Sequence, residues 1–243
     1  MARHMFRSGA TSRLGPRFRR RITLESNHQI NSMIQLLAHR GNIAGPDRLT
    51  ENTQAVFVEA FRRGFGIETD VRDAANRLVI SHDLPNDSAF LFEELLAAYI
   101  EGGYDLPLAI NIKADGLRGG MKSLFGNQAG INHFFFDMSV PETLAYRREG
   151  LRFFSRESEY EPAPALYRDS AGVWMDMFES DWITSDHIAR HIDNGKQVAL
   201  VSPDLHGRPY LEFWARLRDS ELCKSKDLML CTDYPEAART FFS

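Results

Sequence analysis

Eight short apolar runs, each followed almost at once by polar or charged residues, constrain the fold of this chain more than anything else in it. They span 33–38, 65–71, 106–112, 132–136, 151–154, 172–175, 197–201 and 227–230. Their length and their Ile, Val, Leu and Phe content are those of buried strands. Between them the periodicity is helical. One helix is expected to start at Thr50 as its cap, to carry Glu51 in its first turn and to end at Gly64. Others are expected over 88–100, 117–128, 140–149, 163–168, 184–194, 209–220 and 235–242. Asn76 and the β-formers Leu78 to Ile80 predict a short hairpin arm over 75–81.

Parallel strands need right-handed helical crossovers, and eight such units close into a (β/α)8 TIM barrel of about 250 residues. A doubly wound open sheet is the rival, but it gathers its polar groups at one switch point. Here they follow nearly every run, so a single α/β barrel domain is expected over 33–243. Residues 1–32 read as a disordered basic arm, with arginines at 3, 7, 13, 17, 19, 20 and 21 and no acid before Glu25.

The formal charge of -4 argues against a general nucleic-acid partner, which demands a basic face. No apolar run is long enough to span a bilayer, and the basic start lacks the apolar core of a signal peptide, so a cytoplasmic protein is expected. Cys223 and Cys231 offer neither a disulfide framework nor metal-ligand spacing and read as structural thiols.

The chemistry concentrates between residues 33 and 83. Leu36 to Ala38 lead into His39, Arg40 and Gly41; Phe65 and Ile67 lead into Glu68, Thr69 and Asp70; Leu78 to Ile80 lead into Ser81, His82 and Asp83. Glu68 and Asp70, two apart on a strand, face the same way. Such a pair is either a solvated surface feature or the start of a cation site, and oxygen ligands suit Mg²⁺ or Ca²⁺ better than zinc. Asn111, at the end of the third run, would supply a third oxygen. His39 and His82 are the natural proton carriers, since imidazole titrates near neutrality. Arg40 and Lys113 are suited to clamping a phosphate, or to pairing with Glu68 or Asp70. Together these groups suit cleavage of a phosphodiester.

At these residues the sequence resembles the glycerophosphodiester phosphodiesterases of the phospholipase C-like barrel superfamily. The matching elements are His39-Arg40-Gly41, Glu51-Asn52-Thr53, Glu68-Thr69-Asp70, His82-Asp83 and Lys113. The resemblance implies that His39 and His82 are the acid–base pair, that Glu68 and Asp70 hold a divalent cation, and that Arg40 contacts the phosphate. It implies attack by a neighbouring substrate hydroxyl, giving a cyclic phosphate that water opens. Two departures stand out. Asn111 occupies a position where that family usually has a glutamate, and 84–107 holds little more than one helix where the family carries a substantial insertion. Specificity is therefore expected from Arg156, Asp176, Glu179, Asp204, His206 and Arg208, each shortly after a run, with Arg156, His206 and Arg208 as substrate contacts alongside Arg40 and Lys113. The expected partner is a small-molecule phosphodiester. The competing readings are a sphingomyelinase D-like lyase that stops at the cyclic phosphate, a non-catalytic phospho-sugar or polyol binder, and a Schiff-base aldolase using Lys113.

Overall fold

The computed structural model describes residues 34–86, 89–126 and 130–243. The basic arm expected over 1–32 lies outside them, as do Ser88 and Gln128 at the ends of two expected helices. In chain order the elements are β1 (Gln35–His39), α1 (Gln54–Arg62), β2 (Gly66–Ala74), β3 (Arg77–Ile80), β4 (Phe90–Leu91) and α2 (Phe92–Glu101). There follow β5 (Leu108–Ile112), α3 (Arg118–Phe125), β6 (His133–Phe136), α4 (Val140–Arg148), β7 (Phe154–Glu157) and β8 (Gly172–Met175). The chain closes with α5 (Ser185–Asp193), β9 (Gln197–Val201), α6 (Leu211–Asp219), β10 (Leu228–Thr232) and α7 (Pro235–Phe242).

The order of parallel pairing is β6-β5-β2-β1-β10-β9-β8-β7. The two ends of this series meet at an isolated parallel bridge between Phe135 and Phe153, where the Phe135 amide donates to the Arg152 carbonyl at 3.0 Å. This is the TIM-barrel arrangement, and it leaves no switch point of the kind a doubly wound sheet would have. Leu37, Ala109, Phe134, Phe136, Phe154, Trp174, Ala199, Val201, Met229 and Cys231 fill the interior. Gly66 lies where a Cβ would come within 2.7 Å of the Leu37 side chain, so close strand packing requires its bare backbone. Both cysteines are free and buried.

The expected hairpin arm is present, with β3 antiparallel to β2 across a turn at Ala75 and Asn76, both at positive φ. Three expectations need correction. Thr50 does not cap α1; Thr53 precedes the helix instead. The Thr50 hydroxyl bonds the Asp47 carboxylate at 2.8 Å, and Asn52 sits at φ 58, which no α-helix can contain. The fifth strand runs 154–157, not 151–154: Gly150 turns left-handed after α4, and the Leu151 amide closes that turn on the Tyr146 carbonyl at 3.0 Å. Residues 163–168 form turns, not a helix, with Leu166 at φ 56. The crossover from β7 to β8 is thus a loop. No helix among the described residues is long and apolar enough to cross a membrane.

Candidate active site

The mouth of the barrel is set by β1, β2 and β5. Cα register pairs His39 with Glu68 and Asp70 with Asn111, so the polar positions of three strands stand level. Alternation puts Glu68 and Asp70 on the interior face. They and Asn111 are 2%, 1% and 7% exposed. A cleft of about 380 Å³ opens above them, and its walls include His39, Arg40, Glu68, Asp70, His82, Asn111, Lys113, Arg156 and His206.

Asp70 is held on both oxygens. Lys113 Nζ lies 3.2 Å from Oδ1; on Oδ2, Arg40 Nε lies at 3.2 Å and the Asn52 amide donates at 3.1 Å. Burial disfavours its charge, but Lys113, Arg40 and Asn52 outweigh that and hold the carboxyl below its ordinary range. For Glu68 the nearby charges of His39, Lys113 and Arg40 do not offset its burial. Burial, and then the charge of Asp70, push its pKa up to about 7. Its Oε2 and Asn111 Oδ1 are buried without hydrogen-bond partners. The Glu51-Asn52-Thr53 motif acts here through its first two residues. Glu51 accepts from Arg40 Nη1 at 2.9 Å, and Asn52 donates to Asp70 while its Oδ1 accepts from Thr69 at 3.0 Å.

The two histidines line one cleft. His39 Nδ1 lies 2.7 Å from Asp233 Oδ1, which also accepts from the Asn42 amide at 2.8 Å. A carboxylate can only accept, so Nδ1 carries the hydrogen and Nε2 faces Glu68, 3.8 Å away. Burial pulls the His39 pKa down, but the Asp233 hydrogen bond and the charges of Glu68 and Asp233 prevail and raise it. His82 pairs through Nδ1 with Asp83 at 2.9 Å and is 44% exposed at its side chain.

Across the cleft, Arg156 is ion-paired with Asp137 and Glu161, and His206 Nε2 lies 2.6 Å from Asp176 Oδ1. Both expected contacts are therefore at the cleft, though Arg156 lies on β7 itself. Arg208 is not in its wall: the guanidinium donates to the Met177 carbonyl at 2.9 Å and is held by Asp181. Asp204 is committed to Thr232 and to the Asp233 amide, at 2.9 and 2.8 Å, and the Glu179 amide donates to Glu159 at 3.1 Å. Asp233, Asn52 and Asp137 were given no role from sequence. Each follows a strand or falls in a matched motif, but their partners become visible only in three dimensions.

Among the described residues, no three acidic, histidine or cysteine side chains converge as a ready-made metal site. The two partnerless buried oxygens, on Glu68 and Asn111, with Asp70 beside them, are nonetheless the hard oxygen donors that Mg²⁺ or Ca²⁺ prefers.

No family profile and no curated protein sequence matches the chain. Solved structures do. A protein from Galdieria sulphuraria described as a glycerophosphodiester phosphodiesterase superposes with a TM-score of 0.64 at 20% identity, over 86% of this chain and 98% of that one. A phosphodiesterase from Oleispira antarctica, solved with the product sn-glycerol-3-phosphate, gives 0.61 at 15% over 86% and 96%. The glycerophosphodiester phosphodiesterase of Agrobacterium tumefaciens gives 0.58 at 16% over 86% and 99%. The chain thus shares the fold of these proteins along most of its length.

Proposed function

We propose that this protein is a phosphodiesterase that hydrolyses a small phosphodiester bearing a hydroxyl near the phosphorus. The observation that carries this reading is the convergence of His39 and His82 on one cleft floored by Glu68, Asp70 and Asn111 and flanked by Arg40 and Lys113. The shared fold and the product bound to the Oleispira antarctica protein support the substrate class.

Arg40 and Lys113 draw in the phosphate and spread its charge. His39, oriented by Asp233, takes the proton of the substrate hydroxyl as that oxygen bonds to phosphorus. The bond from phosphorus to the leaving oxygen breaks, and that oxygen receives a proton from His82, whose exposed ring exchanges protons with solvent. Water then opens the resulting cyclic phosphate with the two proton transfers reversed. Glu68, Asp70 and Asn111 would hold a divalent cation, Mg²⁺ or Ca²⁺. When bound, it would neutralise charge developing on the phosphoryl oxygens.

The test is phosphorus NMR on a panel of glycerophosphodiesters with Mg²⁺ or Ca²⁺ present. The expected product is a phosphomonoester, and His39→Ala or His82→Ala should lower turnover by roughly 10²-fold or more while circular dichroism shows the variants still folded. Full activity in either variant removes the acid–base assignment. Accumulation of a cyclic product alone identifies a lyase instead.

A further inference from the structure

We propose that this cleft takes up its divalent cation and its phosphate as a cooperative pair, so that neither binds tightly without the other. The inference rests on the reading of Glu68, Asp70 and Asn111 as cation ligands and concerns what this chain's own residues do to that site.

Three observations carry it. The oxygen set holds at most two charges, because Asn111 contributes a neutral amide oxygen. Both oxygens of Asp70 are already engaged, by Lys113 and by Arg40 with Asn52. The Lys113 ammonium and the Arg40 guanidinium are therefore already seated on Asp70, with Arg40 shared with Glu51, before any ion arrives. What remain without a hydrogen bond are Glu68 Oε2, with His39 Nε2 3.8 Å away, and the neutral Asn111 Oδ1, both buried. A dication entering alone must displace an ammonium or a guanidinium from Asp70 to reach its oxygens, so its hydration shell is poorly replaced.

A phosphate changes this balance. Its anionic oxygens compete with Asp70 for Lys113 and Arg40, for which it offers better geometry than a lone carboxylate. Asp70 is then released toward the cation position, and the phosphate supplies the anionic ligand that Asn111 does not. The coupling acts in both directions, because linkage requires the cation to tighten phosphate by the same factor.

Calorimetry on the full chain tests this, with CaCl₂ or MgCl₂ titrated in the absence and presence of saturating inorganic phosphate, and phosphate titrated with and without the cation. The expected result is a cation affinity that rises roughly 10- to 100-fold with phosphate present, matched by an equal rise in phosphate affinity. Asn111→Asp restores the missing charge and should tighten phosphate-free cation binding while shrinking the coupling. Lys113→Gln frees one oxygen of Asp70 and should tighten phosphate-free cation binding by a different route, so the test survives if one variant fails to fold. Equal cation affinity with and without phosphate overturns the pairing and leaves the phosphodiesterase reading intact. Absence of binding by either ion in any combination overturns the cation site itself, and this inference with it.

Discussion

Asp233 stands 194 positions from His39 in the chain and 2.7 Å from it in the folded protein. That contact fixes the imidazole tautomer and turns Nε2 toward Glu68, the orientation in which the ring can accept a proton in the cleft. Asp233→Asn keeps the size of the side chain and removes the charge that favours the imidazolium. With a phosphodiester substrate, kcat should fall by roughly 10²-fold or more with KM little changed; an unchanged kcat would show that the carboxylate only packs. His39, Arg40, Glu68 and Asp70 could be placed at the cleft from sequence because their motifs are local and each follows a short apolar run. Asp233 obeys the same rule, but its role depends on β10 lying beside β1, which no local pattern states. Arg208, expected as a substrate contact, is the opposite case. Following a strand says nothing about which way a long side chain turns, and Asp181 with the Met177 carbonyl takes it out of the cleft.

The segment from β1 to α1 does more than connect two elements. Asn52, at φ 58, ties the loop to Arg40 through its amide at 2.8 Å and to Asp70 and Thr69 through its side chain. Asn52→Gly keeps the left-handed backbone and loses the side-chain bonds, at about 1 kcal/mol each. Asn52→Ala loses the same bonds and adds roughly 1 kcal/mol or more of backbone strain. Urea denaturation should therefore rank wild type above Asn52→Gly above Asn52→Ala; equal stability of the two variants would mean that the backbone conformation carries no cost. Sequence periodicity located the other helices and strands well, because most strands here carry a run of apolar residues. It failed at β7, where Ser155, Arg156 and Glu157 are strand residues. Glu157 is buried with its Oε2 2.7 Å from His191 Nε2 and its Oε1 accepting from Arg190 at 3.4 Å, and the Ser155 hydroxyl bonds the Ala165 carbonyl at 2.6 Å, so polar residues sit in a strand flanked by polar neighbours. It failed also at residues 163–168, where prolines and a left-handed Leu166 override helical propensity.

At the scale of the whole molecule, the barrel's weakest backbone junction is the one between β6 and β7, a single bridge. Side chains reinforce it. Phe134 and Phe154 stack with centroids 3.7 Å apart inside the barrel, and Arg152 ties the His133 carbonyl to Gln197. At the foot of this seam His133 stacks on Phe125 at 4.0 Å, and its Nδ1–H donates to the Ile131 carbonyl at 2.8 Å. Burial lowers its pKa below the ordinary 6.5, outweighing the Ile131 bond, and the Arg152 charge lowers it further. The folded protein therefore keeps this ring neutral at a pH where the unfolded chain protonates it. Well above 6.5 neither state binds the proton and the group contributes nothing to pH dependence. As pH falls from 6.5 toward the folded value, the unfolded state gains a proton that the folded state refuses, and stability is lost. The loss cannot exceed about 1.4 kcal/mol per pH unit for one proton. His133→Phe should keep the aromatic contact with Phe125 and remove this acid sensitivity. Urea midpoints measured between pH 7.5 and 5 should then fall more steeply for wild type than for the variant, with a constant difference above pH 7. Parallel curves throughout would show that the seam accommodates the charged ring and that acid loosens the barrel elsewhere.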